Sequence, residues 1–466
     1  MMAEQEQIIA DLAALVDEGR IKTDPESLKQ FGCDWTKMYD PAPLAILFPK
    51  TTEQVQAIVR YANENAVALV PSGGRTGLSA AAVAANGEVV VAFDLMNNIK
   101  EFNSVDRSVC CEPGVITEQL QQFAEDNDLY YPVDFASAGS SQLGGNISTN
   151  AGGIKVIRYG LTRDWVAGIK VVTGKGDLLE LNHDLVKNAT GYDLRHLFIG
   201  AEGTLGFIVE ATMRLARAPK NLNVLVLGVS EFSAIMNVLT AFQDKIDLTA
   251  FEFFSERAVQ LVTARGDVQR PFETEAPYYA LIEFEAVSEQ VMDEAMALFE
   301  HCMEEGWVLD GVMSQSDAQL KALWRLREDI SETISEFTPY KNDISVVVSK
   351  VPGFLQDIDN IVSSQYPDFE IIWFGHIGDG NLHLNILKPA NLDKEVFFER
   401  CLNVNKQVFE TVEKYNGSVS AEHGVGMTKK AYLTYTRSET EINYMKALKA
   451  VFDPNGVMNP GKVFDL

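Results

Sequence analysis

Three of the six histidines lie between positions 376 and 423, and two of them flank a turn signal. The pair Asp379-Gly380 in GHIGDGNLHLN predicts a two-residue type I′ hairpin turn. In that register His376 pairs directly with His383, and cross-strand Cβ atoms on one face lie about 4.5–5.5 Å apart. Two imidazoles at that spacing can bind one metal ion. Asn385, two residues further along the strand, shares their face.

Glu422 and His423 provide further candidate groups in the segment AEHGVG. The glycines of this segment allow an irregular backbone that can turn both side chains into the pocket of the preceding histidines. Two histidines, one carboxylate and an open coordination position are typical of a catalytic site for zinc or another divalent transition metal. The alternative is a set of hydrogen-bonded core histidines without a metal.

A second set of polar residues could recognise a carboxylate. The pattern SDAQLKALWRLREDISETISEF predicts one helix over residues 316–337, with Arg327 and Ser331 four residues apart on one face and Lys341 just beyond it. Arg325 has acidic neighbours three and four residues later, whereas Arg327 has no partner within the helix. A carboxylate ligand is the functional interpretation of Arg327, and a tertiary salt bridge is the alternative.

Two glycine-rich segments could hold a phosphate-containing ligand. PSGGRTG, at residues 71–77, follows a strand pattern and can turn backbone N–H groups toward a diphosphate. Between Gly139 and Gly160 the segments GSSQLGGNISTNAGG and IRYG are expected to be too rich in glycine for a helix. Two such loops suit a long ligand such as a dinucleotide. The sequence has no P-loop and no GxGxxG, which disfavours nucleoside triphosphates and nicotinamide cofactors.

The predicted secondary structure and the glycine content change along the chain. The first 218 residues alternate helix and strand patterns, and Thr51 with Gln54 predicts a capped helix over EQVQAIVRYANEN. From about Ala218, strands and helices continue with little glycine, and the last segment is again rich in glycine and proline. We therefore expect an α+β chain with more than one domain.

Length and charge restrict the classes of function. The 466 residues are enough for two or three domains, and hydrophobic residues make up 46% of them. The formal net charge of −27 repels nucleic acid and anionic lipid. No nucleic acid partner is expected, and an anionic substrate would need local cations or a metal.

Cysteine spacing and hydropathy indicate the compartment. The five cysteines show no C-x2-C spacing, which excludes zinc ribbons and cluster ferredoxins and predicts reduced thiols. The N-terminal segment MMAEQEQIIADLAALVDEGR is acidic, unlike a signal or transit peptide. No apolar run approaches the roughly 18 residues of a membrane span. We expect a soluble, cytoplasmic protein.

A colinear set of motifs resembles the flavoprotein family related to vanillyl-alcohol oxidase. Within that family the chain is similar to the D-2-hydroxyacid dehydrogenases, and most of all to their hydroxyglutarate branch. The resemblance extends from about Leu44 to Lys462. The motifs are PSGGRTGL, PVDFASAGSSQLGGNISTNAGG, IRYG, KNATGYDLRHLFIGAEGTLGFIVEA, LREDIS, YKNDIS, GHIGDGNLHLN, SAEHGVG and DPNGVMNPGK.

The resemblance implies an FAD-binding domain of two α/β subdomains at residues 1–218 and an α+β substrate-binding cap domain with an antiparallel sheet at 219–412. Residues 413–466 would pack against the FAD domain and complete the active site. The loop GGRTGL lacks the histidine of covalent relatives, so FAD is expected to bind non-covalently. The implied flavin contacts are Pro71, Ser72, Gly73, Gly74, Arg75, Thr76, Gly77, Leu78, Pro132, Ala136, Ser137, Gly139, Ser140, Gly144, Asn146, Ser148, Ile208 and Asn459.

The resemblance also implies roles for the candidate residues. The implied ligands of a divalent metal, with zinc as the expected ion, are His376, His383 and Glu422. The implied substrate-binding residues are Arg327, Ser331, Lys341, Asn385 and His423. His423 would also be the catalytic base. Two positions depart from the pattern: Ser331 stands where the hydroxyglutarate branch usually has Thr, and Arg75 replaces a small polar residue.

These features together predict metal-assisted, FAD-dependent oxidation of a D-2-hydroxy acid to the 2-oxo acid. D-2-hydroxyglutarate is the expected substrate and D-malate a further one. Electrons would pass to a separate acceptor, such as an electron-transfer flavoprotein or a quinone, because no nicotinamide fingerprint is present. The alternatives are a D-lactate dehydrogenase of the same family, a flavin-dependent alkyl transferase, a metal hydrolase without flavin and a non-catalytic binding protein. A homodimer is the candidate assembly.

Overall fold

The computed structural model describes residues 2–17, 19–36 and 38–466. Within these residues no helix is both long and apolar enough to cross a membrane. The helices are α1 Met2–Leu15, α2 Pro25–Phe31, α3 Thr52–Asn65, α4 Thr117–Glu125, α5 Leu143–Thr149, α6 Val156–Tyr159, α7 Thr162–Trp165, α8 Arg195–Phe198, α9 Phe232–Gln243, α10 Glu256–Ala264, α11 Glu289–Glu304, α12 Asp317–Glu328, α13 Ile330–Ser335, α14 Val351–Gln365, α15 Lys394–Lys414 and α16 Glu439–Phe452. The strands are β1 Ile21–Lys22, β2 Ala45–Leu47, β3 Leu69–Ser72, β4 Val89–Ala92, β5 Ile99–Asn103, β6 Ser108–Cys111, β7 Leu129–Tyr130, β8 Val166–Thr173, β9 Leu178–Leu181, β10 Gly206–Arg214, β11 Ala216–Arg217, β12 Leu222–Val229, β13 Leu248–Ser255, β14 Tyr278–Glu285, β15 Val308–Met313, β16 Tyr340–Ser345, β17 Glu370–Gly375 and β18 Asn381–Leu387.

The chain divides into two compact units. The first contains the residues up to Gly152 together with Gly160–Ala218 and Glu422–Leu466, and the second contains Gly153–Tyr159 and Pro219–Ala421. Each unit combines helices with sheets, as expected for an α+β chain. The three-part scheme with borders after residues 218 and 412 remains a prediction.

The first unit contains a small, mostly parallel sheet. Its strand order is β1-β2-β4-β3, in which β2, β4 and β3 are parallel and β1 pairs antiparallel with β2. The predicted capped helix is confirmed, because Thr51 Oγ1 accepts a hydrogen bond from the Gln54 N–H (3.3 Å) at the start of α3. The apolar face of α3, including Val55 and Ile58, is buried in the same core cluster as Val89 of β4.

A second sheet and the C-terminal segment complete this unit. The sheet is antiparallel, with the order β5-β6-β10-β8-β9, and β7 pairs with β11 beside it. The Leu69 N–H donates to the Val457 carbonyl oxygen (2.8 Å), and the Asn459 N–H donates to the Leu69 carbonyl oxygen (2.7 Å). The C-terminal segment therefore lies beside β3, the strand that leads into PSGGRTG.

The prediction that the glycine-rich stretch contains no helix is wrong. Residues 143–149 form α5, which ends at Asn150 in the left-handed conformation (φ +52°). A Cβ on Gly144 would lie 2.6 Å from Pro113 Cβ, so this glycine permits close packing. Each glycine costs a helix roughly 1 kcal/mol, and tertiary packing outweighs that cost here.

The second unit is built on one antiparallel sheet of seven strands, in the order β15-β12-β14-β13-β17-β18-β16. The single helix predicted over residues 316–337 is interrupted, because α12 ends at Glu328 and α13 begins at Ile330. The residue between them, Asp329, has ψ −8°, compared with about −42° in a regular helix. Arg327 and Ser331 therefore lie on successive helices rather than on one helical face.

Candidate active site

A cavity in the first unit lies where PSGGRTG meets the glycine-rich stretch. It encloses about 570 Å³, part of which is open to solvent. A Cβ on Gly74 would lie 2.2 Å from the Ser140 carbonyl oxygen and 2.7 Å from Ser141 Cα, so only glycine permits this contact between the two segments. The lining residues are Pro71, Gly73, Ala81, Ala82, Phe93, Pro113, Gln142, Gly144, Gly145, Ser148, Thr149, Glu202, Gly203, Gly206, Phe207 and Ile208.

The walls of this cavity suit a partly apolar, elongated cofactor such as FAD. Apolar rings of Phe93 and Phe207 lie beside glycine backbone. The buried amide oxygen of Gln142 has no hydrogen-bond partner within the described residues, and a polar group of a ligand would satisfy it. The predicted flavin contacts that line the cavity are Pro71, Gly73, Gly144, Ser148 and Ile208. The predicted contacts that lie outside this lining are Ser72, Gly74, Arg75, Thr76, Gly77, Leu78, Pro132, Ala136, Ser137, Gly139, Ser140, Asn146 and Asn459.

Arg75 is bound by the protein itself. Its Nη1 and Nη2 atoms donate to the Asp94 carboxylate at 3.1 and 2.9 Å, and Nη1 also donates to the Gly73 carbonyl oxygen at 2.6 Å. The guanidinium lies 4.6 Å from the centre of the Phe31 ring. Arg75 also has a positive φ of +61°, which is unusual for a residue other than glycine. Because its charge is paired, Arg75 shapes the loop and does not offer an unpaired cation to a phosphate.

Sequence reasoning missed Glu202, which lines the cavity. Its carboxylate accepts hydrogen bonds from the N–H groups of Val425 (2.7 Å) and Gly426 (2.8 Å). Burial raises the pKa of Glu202, while these two donors oppose that rise. The carboxylate thereby fixes the backbone just beyond Glu422 and His423. No local pattern reveals this contact, because the partners are more than 200 residues apart in the sequence.

The predicted direct pairing of His376 with His383 is wrong, although the two rings are close. Residues 376–380 connect β17 to β18, and His383 pairs with Phe374 instead. Asp379 is not among the residues with positive φ, which a type I′ turn requires at its first central position. The ring centroids of the two histidines nevertheless lie 5.4 Å apart, and one ring nitrogen of each lies within 4.8 Å of the other.

Glu252 on β13 is a second residue that sequence reasoning missed. One carboxylate oxygen lies 2.8 Å from Nδ1 of His376, and the other lies 2.8 Å from Nε of Arg327. The side chain of Glu252 is only 1% exposed. The contact with Arg327 is an ion pair without hydrogen-bond geometry. A tertiary salt bridge, which was the alternative interpretation of Arg327, therefore balances its charge.

The surroundings of the two histidines suit a metal. With its Nδ1 facing a carboxylate, His376 keeps Nε2 as a ligand atom, an arrangement common among metal-binding histidines. His383 pairs across the sheet with Asp343, whose Oδ1 lies 4.0 Å from its Nδ1. The same Asp343 oxygen accepts a hydrogen bond from Asn381 Nδ2 (2.9 Å). His376 thus has a carboxylate at hydrogen-bond distance that can fix its tautomer, whereas the Asp343 oxygen lies 4.0 Å from Nδ1 of His383.

Lys341 and Ser331, two members of the predicted carboxylate-binding set, lie together. Lys341 Nζ donates to Ser331 Oγ (3.2 Å), and across the sheet Lys341 pairs with Asn385. In the described part of the chain no carboxylate oxygen lies within 4.0 Å of Lys341 Nζ. The residue as a whole is exposed, yet desolvation lowers the pKa of its ammonium group. Asn385 is buried, and its amide donates to the His383 carbonyl oxygen (3.2 Å).

Glu422 and His423 directly follow the last residue of the second unit. The N–H of that residue, Ala421, donates to the Asp343 carbonyl oxygen (3.3 Å). His423 Nε2 lies 3.6 Å from a carboxylate oxygen of Glu422. The residue before Glu422 is therefore hydrogen-bonded to β16, the strand in which Asp343 pairs with His383.

Known proteins identify the two parts of the chain. A family model for an FAD binding domain matches residues 43–182, and one for the C-terminal domain of FAD-linked oxidases matches residues 218–463. A D-2-hydroxyglutarate dehydrogenase of Stutzerimonas stutzeri (strain A1501) is 72% identical over 98% of this chain and 98% of the relative. The chain belongs to the FAD-linked oxidase family. It is an FAD-dependent dehydrogenase, as the motif resemblance predicted.

Two further proteins are similar to this chain. A mitochondrial protein of Schizosaccharomyces pombe, provisionally named a D-lactate dehydrogenase, is 36% identical over 98% of this FAD-linked oxidase and 88% of the relative. The solved structure of 4-ethylphenol oxidase from Gulosibacter chungangensis superposes with a TM-score of 0.79 at 15% identity, covering 100% of this chain and 98% of that one. The second similarity concerns the fold alone, and it confirms the predicted fold class.

Proposed function

We propose that this FAD-linked oxidase oxidises D-2-hydroxy acids to 2-oxo acids, with D-2-hydroxyglutarate as its preferred substrate and D-malate as a further one. The activity named for the relative at 72% identity supports the substrate class. The observation that carries the proposal is the arrangement on the sheet of the second unit. There His376 and Arg327 share Glu252, while Lys341 pairs with Asn385, two residues beyond His383.

The proposal includes a divalent metal site, with zinc as the ion, formed by His376, His383 and Glu422. The proximity of the two rings and the carboxylate beside each of them support this assignment. When bound, the metal would supply a Lewis acid and FAD a two-electron acceptor. The protein's own task is to present two imidazoles, with the tautomer of His376 fixed by Glu252, to the 2-hydroxyacid end of the substrate.

The remaining residues act on the substrate directly in this proposal. His423 accepts the proton of the 2-hydroxyl group at a ring nitrogen, as a general base. Asn385 hydrogen-bonds the 2-hydroxyacid end. Lys341 and Ser331 receive the distal carboxylate, with Arg327 contributing its positive field. A bound dicarboxylate would be held at both ends, which orients C2 for loss of its hydrogen.

A separate protein or small molecule accepts the electrons in this scheme, either an electron-transfer flavoprotein or a quinone. The sequence has no GxGxxG fingerprint for a nicotinamide cofactor, and its five cysteines lack the spacing of an iron–sulfur ligand set. These two features support an external acceptor.

Substrate oxidation with an artificial dye acceptor tests the proposal. Purified protein should reduce the dye with D-2-hydroxyglutarate and D-malate, should yield the 2-oxo acid, and should fail with the L-enantiomers. The bound flavin should bleach when substrate is added without acceptor. A higher kcat/KM for D-lactate would favour the D-lactate alternative, and an unbleached flavin with all of these acids would refute oxidation altogether.

A further inference from the structure

Glu252 is not itself among the proposed metal ligands and substrate-binding residues. It is the single charged residue in the largely buried strand LTAFEFFS, and its side chain is 1% exposed. A buried carboxylate is costly unless it is paired. Glu252 is paired twice, at 2.8 Å with His376 Nδ1 and at 2.8 Å with Arg327 Nε. The strand therefore contains an acid whose two oxygens serve different partners.

The partners of Glu252 also contact one another through two aromatic groups. The Arg327 guanidinium lies 4.7 Å from the centre of the Phe374 ring. That ring lies 4.9 Å from the His383 ring, which in turn lies 5.4 Å from the His376 ring. The five side chains form a closed circuit within the second unit. Replacing one carboxylate oxygen of Glu252 should therefore alter the contacts of both His376 and Arg327.

We propose that Glu252 is a positioning residue that couples the orientation of His376 to the charge of Arg327. Toward His376 it accepts the Nδ1 hydrogen and leaves Nε2 unprotonated, which is the form that can bind a metal. Toward Arg327 its other oxygen, 2.8 Å from Nε, provides the counter-charge. The metal-binding part of this inference rests on the proposed function.

The variant Glu252→Gln separates the two tasks because an amide has only one oxygen. The guanidinium of Arg327 attracts that oxygen, and the amide NH2 group then faces His376 Nδ1. Nδ1 must become an acceptor, which moves the imidazole proton to Nε2 and blocks the metal-binding atom. We expect the zinc affinity of the FAD-loaded protein, measured against a chromophoric chelator, to fall about 10- to 100-fold.

The double variant Glu252→Gln with Arg327→Met tests the coupling itself. Without the guanidinium, the amide oxygen is available to His376 again, so zinc affinity should recover toward the wild-type value. A merely structural role of Glu252 would give a second loss instead of a recovery. Glu283→Gln is the matched control, since Glu283 is a buried acid on the adjacent strand β14 whose carboxylate contacts Lys155, Thr249 and Trp324. Its zinc affinity should equal that of the wild type.

A measurement without metal distinguishes this inference from the proposed metal site. The chain has only six histidines, so nitrogen-15 spectra of histidine-labelled, metal-free protein can be assigned with a His376→Asn variant. We expect the Nδ1–H tautomer of His376 in the wild type and the Nε2–H tautomer in Glu252→Gln. The Nε2–H tautomer in the wild type, or unchanged zinc affinity in folded Glu252→Gln, would overturn the inference. If wild-type protein binds no zinc but shows these tautomers, the positioning role stands and the metal site is refuted.

Discussion

Replacing Lys341 should change which substrates the enzyme accepts. The Lys341 ammonium donates to Ser331 Oγ (3.2 Å), and no described carboxylate neutralises it. A hydrogen bond to a charged group contributes about 1.5–3 kcal/mol. At roughly 1.4 kcal/mol per factor of ten, Lys341→Met should lower kcat/KM for D-2-hydroxyglutarate about 10- to 150-fold. D-lactate has no distal carboxylate, so its kcat/KM should stay within a factor of about two, the size of an ordinary surface change.

The comparison needs two further variants. Lys341→Arg retains the charge and should recover most of the activity on D-2-hydroxyglutarate, whereas Arg327→Met should lower turnover of both substrates. The reason is that loss of Arg327 leaves Glu252 beside His376 without its counter-charge, and breaking a buried pair costs about 3–5 kcal/mol. The assay is steady-state dye reduction with both acids. Equal losses of kcat/KM on both substrates in Lys341→Met would show that this lysine does not bind the distal carboxylate.

Three other outcomes are expected. Acid precipitation should release all of the FAD into the supernatant, and a yellow pellet would contradict non-covalent binding. His383→Ala should lose bound zinc and turnover while retaining FAD, as measured by metal analysis and absorbance; full activity with normal zinc content would refute the metal site. Partial burial raises the pKa of Glu256, but hydrogen bonds from Arg270 and Tyr279 outweigh burial and hold the pKa below its ordinary value of 4.5. The group therefore stabilises the folded state above pH 4.5, and the free energy of unfolding should fall, relative to Glu256→Gln, as the pH drops below that value; parallel curves in urea titrations would contradict this assignment.

The sequence predicted those helices whose ends are determined by residues within one turn of each other. The helix that begins after Thr51 follows from a capping hydroxyl and apolar spacing, both of which act within one turn. The helix α5 was not predictable from composition, because one of its two glycines, Gly144, is required by close packing against Pro113, about 30 residues away in the sequence. The break between α12 and α13 at Asp329 was likewise not predictable, because no Pro or Gly stands at that position.

The candidate site was predictable in its residue types but less so in its connections. His376 and His383 do lie together, yet through a connection over residues 376–380 rather than a two-residue turn. The dipeptide Asp-Gly favours type I′ strongly, but here the sheet places His383 opposite Phe374. Glu252 had one usable signal, a lone charged residue in a strand rich in apolar residues, which predicts a buried partner without identifying it.

The pairing of charges explains how a chain of net charge −27 could select an anionic substrate. Arg327 already lies 2.8 Å from Glu252, so an incoming carboxylate would compete there with a permanent one. At Lys341 a carboxylate bound as proposed would instead meet a cation whose described side-chain partner is the hydroxyl of Ser331. Desolvation has lowered the pKa of that ammonium group, which means that its charged form lacks compensation before substrate binds. In the proposed function, a substrate carboxylate would supply that compensation. In this proposal, selectivity for a second carboxylate depends on Lys341, which has no neighbouring carboxylate among the described residues, and not on the total number of cations around the pocket.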